Sequence, residues 1–321
     1  MNKQKNQHRP GVSGNPAKRA ATAAHLKTTG HSSVTIGDWV HGARLRTLPL
    51  AFAPVIAGAG IASMVQEFSW PLTLLALAVA VLLQIGVNYA NDYSDGVRGT
   101  DEFRVGPARL TASGLVNPKK VLAVALGCFA LAALAGLVAV VLSGRWWFLV
   151  IGVLAIIAAW FYTGGKRPYG YMALGEVMVF IFFGLVATAG TYYLQSDIAN
   201  QQIWWVAGAI GCFAVAVLIA NNIRDIPTDR QAGKRTLAVV IGDRAARILF
   251  VLFALAPFLV SAVHTPFFPR ISVSFLVLLI VLPTCLIVLT AKTARELILA
   301  LQLTSIAALA YAILIAWGFG L

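Results

Sequence analysis

The sequence predicts an all-α, polytopic membrane protein of about nine transmembrane helices. Three observations carry that reading. Hydrophobic residues make up 59% of the 321 and charged residues 12%, roughly half the share of about 25% found in soluble domains. Apolar runs close to the ~20 residues that cross about 30 Å of hydrocarbon recur along the chain. The basic residues are also one-sided. With an inside amino terminus, nine spans place every one of the 25 lysines and arginines inside except Arg145 and Arg270, as the positive-inside rule requires. Topology and anionic lipid thus account for the net charge of +13 without nucleic acid.

Residues 1–37 hold six lysines and arginines, no acid and no continuous apolar core. That composition predicts a basic, disordered arm rather than a secretory signal peptide, with an organellar transit sequence as the alternative. A single nine-helix unit follows over 38–321. At its start, DWVHGARLRTLP sets Trp39, Arg44 and Arg46 at the membrane boundary, where aromatic and basic residues gather. The spans are predicted at 47–64, 71–92, 120–142, 146–162, 172–193, 203–222, 246–263, 271–290 and 299–319. Pro49, Pro54, Pro257 and Pro283 fall inside them, which packed membrane helices tolerate. Cys128, Cys212 and Cys285 lie in apolar runs and read as packing residues. The five histidines have no zinc-site spacing, so a metal here would be held by oxygen.

Seven of the twelve acids occupy two inside loops: Asp92, Asp95, Asp101 and Glu102 after the second span, and Asp225, Asp229 and Asp243 after the sixth. Laying NYANDYSDGVRGTD on the second cluster, NNIRDIPTDRQAGKRT, superposes Asn91 on Asn221 and Asp95 on Asp225. Each pair is i, i+4 and shares a helix face. Asp229 extends that face if the helix continues past Pro227, a residue that breaks or kinks helices. Gly99 holds the matching place in the first cluster, with Asp101 the nearest acid. The two motifs lie four spans apart, hence on parallel helices at the same membrane face, and point to one shared site.

Carboxylate and amide oxygens suit Mg²⁺, which binds through one or two carboxylates plus substrate phosphates. Arg98, Arg104, Arg109, Lys166, Arg167, Arg224, Arg230, Lys234 and Arg235 surround the acids and can neutralise a diphosphate. Acid, metal and base together describe a diphosphate clamp. Charge balance on a solvated loop would explain the acids, but it requires neither the asparagines nor the repeated spacing.

With NDYSD after the second span, DIPTD after the sixth, and nine spans, the chain resembles the UbiA-type intramembrane aromatic prenyltransferases. The likeness covers nearly all of 38–321. RTLPLAFAPVIAG, NDYSDGVRGTDEFRVGPARL, YTGGKRPYGYMALGE and NNIRDIPTDRQAGKRTLAV are most similar to the 1,4-dihydroxy-2-naphthoate polyprenyltransferases of menaquinone synthesis. The resemblance implies an all-α bacterial cell-membrane enzyme of nine transmembrane helices around a central cavity, with inside-facing loops capping the site and with its amino terminus and site loops cytoplasmic. It would transfer a polyprenyl group from its diphosphate to the naphthoate, with loss of CO₂ and diphosphate. It further implies about two Mg²⁺ ions, with Mn²⁺ as a substitute, held by Asn91, Asp95, Asp101, Asp225 and Asp229. Asp101 stands in for the acid that the family's first motif carries at the position of Gly99. Lys166, Lys234 and Arg235 are the expected diphosphate contacts, joined by Arg46, Asn88, Arg98, Arg167 and Arg224 as substrate-binding residues. Asp92 is expected to point elsewhere.

Tyr89, Tyr93, Trp160, Tyr162, Tyr169 and Tyr171 gather near the inside span ends, the usual depth of an aromatic belt. Tyr162 is singled out because aromatic faces stabilise a carbocation and exclude water. Glu176, about a turn into the fifth span, is an ionisable group in a costly place, with Lys166 or Arg167 as its expected partner. The alternatives are a related enzyme acting on 4-hydroxybenzoate or homogentisate, a cation-coupled transporter built on the repeat, and a noncatalytic scaffold. The acids' position at the inside boundary rather than at mid-membrane argues against the transporter.

Overall fold

The computed structural model describes residues 34–99, 109–114 and 116–321. The basic arm expected over 1–37 therefore lies almost wholly outside the described residues, as do Asp101, Glu102 and Arg104.

The chain begins with α1, Ile36–Ala43, whose Thr35 and Asp38 form a reciprocal capping box. Arg44 then turns into the left-handed region at φ 54°, and a single 3₁₀ turn leads to α2, Pro49–Met64. These two segments together are long and apolar enough to span, bent by 46° at their junction. The spans continue with α3, Trp70–Arg98, α4, Pro118–Ser143, α5, Phe148–Phe161, and α6, Gly175–Tyr193. The carboxyl-terminal half has α7, Gln202–Gln231, the short α8, Leu237–Ile241, then α9, Asp243–His264, α10, Pro269–Thr290, and α11, Ala294–Phe319. Among the described residues seven helices meet the length and apolarity of a membrane span by themselves. The bent α1–α2 pair brings these to eight, and at the fourth predicted run stands α5, a shorter apolar helix of 14 residues, so the nine expected spans match the structure approximately.

Local chemistry sets the ends. Asn117 caps α4 by accepting from the Lys119 amide at 2.9 Å, with Pro118 at the first helical position, where its missing N–H costs nothing. Gly99 ends α3 at φ 73°, a backbone state that a side chain disfavours. Both motif-bearing helices outrun their predicted ends, α3 to Arg98 and α7 to Gln231. Pro227 sits inside α7 without ending it, because the helix is wrapped by neighbours.

The helices pack as two cores. The smaller joins Ala43, Tyr89, Ala90, Val121, Ala125 and Phe129 of α1, α3 and α4, with Ile156 and Trp160 of α5 against it. The larger is built from α2 and α6 through α11 around α7, the most buried of the spans. Small residues permit close approaches within it: a Cβ on Gly60 would lie 2.5 Å from the Ala316 Cα, and one on Gly184 2.5 Å from the Gly211 Cα. A π-helical stretch, Phe180–Val186, surrounds Gly184 in α6. Between the two cores lies a cavity.

Candidate active site

The cavity has a volume of about 500 Å³ and is lined from α2 through α7 and the inside loops. Most of its wall is apolar, including Val79 and Leu83 of α3, Ile156 of α5 and Phe182 and Phe183 of α6. One end is polar. On α3, Gln84, Asn88, Asn91 and Asp95 all line it, following the i, i+4, i+7 spacing of one helix face. From α7 come Asn221, Asn222, Asp225, Thr228 and Asp229, and from the segment after it Lys234 and Thr236. The two repeated motifs thus face one space, as the alignment of Asn91 with Asn221 and Asp95 with Asp225 predicts.

Asp95 is the hub. It is 2% exposed, accepts from Arg109 at 2.7 Å, and lies 3.3 Å from the Lys234 ammonium. Tyr171 donates its hydroxyl to the same carboxylate, while Lys234 rests 4.5 Å from the centre of the Tyr171 ring. Arg109 also donates to the Asn91 carbonyl at 3.0 Å, and Thr163 donates to the Asn91 side chain. On α7 the arrangement is more local. Arg224 pairs with Asp225 at 2.6 Å and donates to Asn221 at 2.9 Å, and the Thr236 hydroxyl lies 3.4 Å from Asp229. Tyr162 lines the cavity edge-on to Tyr169 at 5.5 Å. Burial pushes the Tyr169 phenol above its ordinary value, and its hydroxyl donates to the Ala158 carbonyl at 2.6 Å.

Several expectations need correction. Lys166, Arg167 and Arg235 are exposed and do not line the cavity. Gly165, at φ 73°, turns the loop after α5 outward, and Arg98 clasps it from α3 by donating to the Thr163 and Gly165 carbonyls. Arg98 is therefore a strut of this loop. Arg235 uses its backbone instead, donating to the Tyr171 carbonyl at 3.1 Å beside an isolated parallel bridge to Met172. Arg46 and Arg224 line a small pocket that adjoins the cavity. Glu176 accepts from Asn222 at 2.9 Å, in place of Lys166 or Arg167. Asp92 points away, as expected, and accepts the Leu110 and Thr111 amides at 2.9 Å each. It latches the returning chain that carries Arg109. Asp101 lies outside the described residues.

Sequence reasoning passed over Arg109 as a site residue, and Tyr171, Thr163 and Asn221 with it. Arg109 was visible only as one cation among nine, and nothing in its spacing from Asp95 announces the pairing. Asn221 had the clearer signal, since it already occupied the repeated motif.

Among the described residues no three histidine, cysteine, aspartate or glutamate side chains come together as a metal cluster. The donor chemistry still fits Mg²⁺, because Asn91, Asp95, Asn221, Asp225 and Asp229 present hard oxygens to one cavity end. Such a set suits an ion that shares its coordination with substrate phosphate rather than an all-protein cage.

These features define an all-helical intramembrane protein whose cavity is charged and polar at one end and apolar in the remainder. The chain belongs to the UbiA prenyltransferase family, whose sequence model matches residues 51–300. It is 53% identical over 220 residues to the 1,4-dihydroxy-2-naphthoate octaprenyltransferase of Mycobacterium tuberculosis, covering 67% of this chain and 74% of that protein. The Escherichia coli protein of the same name is 42% identical over 215 residues, covering 65% and 70%. Among solved structures, the apo UbiA homolog from Aeropyrum pernix K1 superposes with a TM-score of 0.64 at 16% identity, covering 84% of this chain and 96% of that one. The Archaeoglobus fulgidus homolog bound to GPP and Mg²⁺ gives 0.62 at 13% identity, covering 87% and 99%.

Proposed function

We propose that this protein transfers a polyprenyl group from a polyprenyl diphosphate to 1,4-dihydroxy-2-naphthoate with loss of CO₂ and diphosphate, giving demethylmenaquinone once the product is oxidised. The observation that carries this reading is the cavity itself. Two facing Asn-x-x-x-Asp motifs and two cations occupy one end, and an apolar chamber fills the rest. The relatives named for this reaction support the naphthoate over 4-hydroxybenzoate or homogentisate.

The diphosphate lies at the polar end and the isoprenoid tail along the apolar wall of α3, α5 and α6. Asn91, Asp95, Asp225 and Asp229 would hold Mg²⁺, two ions being the expected complement and Mn²⁺ a substitute, and the bound metal would neutralise charge on the leaving diphosphate. Lys234 and Arg109, held on Asp95 in the substrate-free geometry, donate to phosphate oxygens when the head group enters. They supply preorganised positive charge where negative charge develops. The bond between the first prenyl carbon and oxygen breaks, and its electron pair leaves with the diphosphate. The ring carbon that bears the carboxylate attacks that prenyl carbon. The electron pair of the carbon–carboxylate bond then restores the aromatic ring as CO₂ departs. Tyr162, Tyr169 and Tyr171 line this end, stabilise the allylic cation with their rings and limit access of water.

The site opens to the cytoplasmic face of a bacterial cell membrane, an orientation supported by the one-sided basic residues. The test is to incubate the purified protein in detergent with Mg²⁺, a polyprenyl diphosphate and 1,4-dihydroxy-2-naphthoate, and to follow prenylated product by mass spectrometry with and without EDTA. Product that disappears with EDTA is expected. Product formed only from another aromatic acid would overturn the acceptor.

A further inference from the structure

We propose that Asn222 and Glu176 form the subsite that stabilises the allylic cation: Asn222 presents its amide oxygen to the positive carbon left when diphosphate departs, and Glu176, behind it, is the positioning residue that fixes the amide and adds negative charge. The inference rests on the reaction proposed above and gives a task to a buried acid that reaction leaves unused.

Glu176 differs from other buried acids near the site. Asp95 meets Arg109 and Lys234, Asp225 meets Arg224, and Asp92 is committed to two backbone amides. Glu176 is 6% exposed. Its side chain accepts from the Asn222 amide nitrogen at 2.9 Å and has no cation in ion-pair reach among the described residues. It stands in the first turn of α6, where unpaired N–H groups and the helix dipole favour an anion. A carboxylate in the membrane without a counter-charge is costly, so its presence points to a positive partner that arrives with the reaction.

An ionised carboxylate only accepts hydrogen bonds, so Asn222 turns its NH₂ group to Glu176. Its amide oxygen then has no partner among the described residues, yet it is not sealed in protein, because Asn222 lines the cavity. The neighbouring Asn221 oxygen, by contrast, is taken by Arg224 at 2.9 Å. Along α7, Asn222 stands three residues before Asp225, about 4.5 Å deeper in the membrane, and four past Leu218, which also lines the cavity. This is the border between head group and tail, where the bond from the first prenyl carbon to oxygen breaks. Tyr162 bounds the same place, since a Cβ on Gly175 would lie 3.7 Å from the Tyr162 hydroxyl. An amide oxygen backed by a carboxylate makes the border negative, and its field is strongest in surroundings of low polarity. The electron pair of the broken bond leaves with the diphosphate, and the cation is held until the ring carbon attacks. Asn222 and Glu176 form no bond to it and exchange no proton.

The test uses two ligands that do not turn over, bound to the full chain in detergent with Mg²⁺. One is farnesyl thiolodiphosphate, whose bridging sulfur suppresses ionisation. The other is a farnesyl-like chain with a protonated nitrogen in place of its third carbon, added with inorganic diphosphate to mimic the separated cation and leaving group. Their Kd values are measured by titration calorimetry in wild type, Asn222→Leu, Glu176→Leu and Glu176→Gln. Both leucine variants are expected to raise the Kd of the ammonium at least about tenfold, the loss typical of a charge-assisted contact, and to change that of the thiolodiphosphate by no more than about twofold. Glu176→Gln, which still offers Asn222 an acceptor oxygen but no charge, falls between them and wild type. In turnover kcat drops in the same order, and the KM for polyprenyl diphosphate stays within about twofold. Equal losses for both ligands would make the pair structural and overturn the proposal. A weakened thiolodiphosphate and a higher Mg²⁺ requirement, with ammonium binding unchanged, would assign Asn222 to the metal and do the same. Ammonium binding that depends on Asn222 in a protein that prenylates no naphthoate supports the cation subsite and sinks the proposed reaction. Naphthoate prenylation with ammonium binding unchanged in all three variants sinks the subsite alone.

Discussion

Two aspartates three positions apart on α3 have opposite duties. Asp92 accepts two backbone amides and fixes the chain that delivers Arg109, whereas Asp95 meets Arg109, Lys234 and Tyr171 inside the cavity. Asp95→Asn is therefore expected to lower kcat by about 10²-fold or more, the scale of losing an electrostatic catalytic contact, in a protein that still folds. Asp92→Asn keeps one acceptor oxygen, and its principal effect is a lower Tm, from about 1–3 kcal/mol per orphaned amide. Activity assays and thermal unfolding in detergent on both variants check the division. The lysines divide the same way: Lys234→Met should reduce kcat/KM at least about tenfold, with a smaller effect from Lys166→Met on the outward loop. The sequence made the carboxylates legible because i, i+4 spacing fixes a helix face. It did not reveal their cations, because a long side chain reaches its partner through the fold. Lys166 and Lys234 look alike as letters, each following a glycine in the left-handed region, at φ 73° and 71°, and only the packing of the chain around them puts one in the cavity wall and the other outside it.

At the scale of helices, length and apolarity were enough to find nine runs in order. They were not enough to find where the motif-bearing helices stop. Hydropathy falls at Asn88 and Asn91, yet α3 continues to Arg98 because its polar face has a cavity to line and cations to meet. Pro227 misleads for a related reason: packing around α7 outweighs the lost hydrogen bond. Glycine contacts are equally silent in the sequence. Gly184→Val would drive side-chain carbon into the Gly211 backbone. It should destabilise the protein by about 1–3 kcal/mol, the usual cost of overpacking. Gly127→Ala, with nothing near its added carbon, should not lower Tm. Thermal unfolding of the two variants decides between close packing and a merely permissive position.

For the whole molecule, the basic bias predicts sidedness. In a background without native cysteines, a cysteine at Lys119 should react with a membrane-impermeant maleimide in inverted vesicles and not in right-side-out ones. A cysteine at Trp146, beyond the far end of α4, should do the reverse. Equal labelling from both sides would contradict the orientation. The division into two cores, which no run of residues announces, explains why the cavity exists: neither core can fill the space between α3 and α7 without burying the carboxylates in hydrocarbon. The division also sets an order of assembly. Apart from α2, the smaller core is contributed by the earlier helices, so a growing chain can complete it while α7 is still unmade. Until Lys234 emerges, Asp95 has lost one of its two basic partners and the apolar chamber has no far wall. Catalytic competence is thus among the last properties the nascent protein acquires, and a chain stalled before α7 would have its smaller core but neither the larger one nor a finished site.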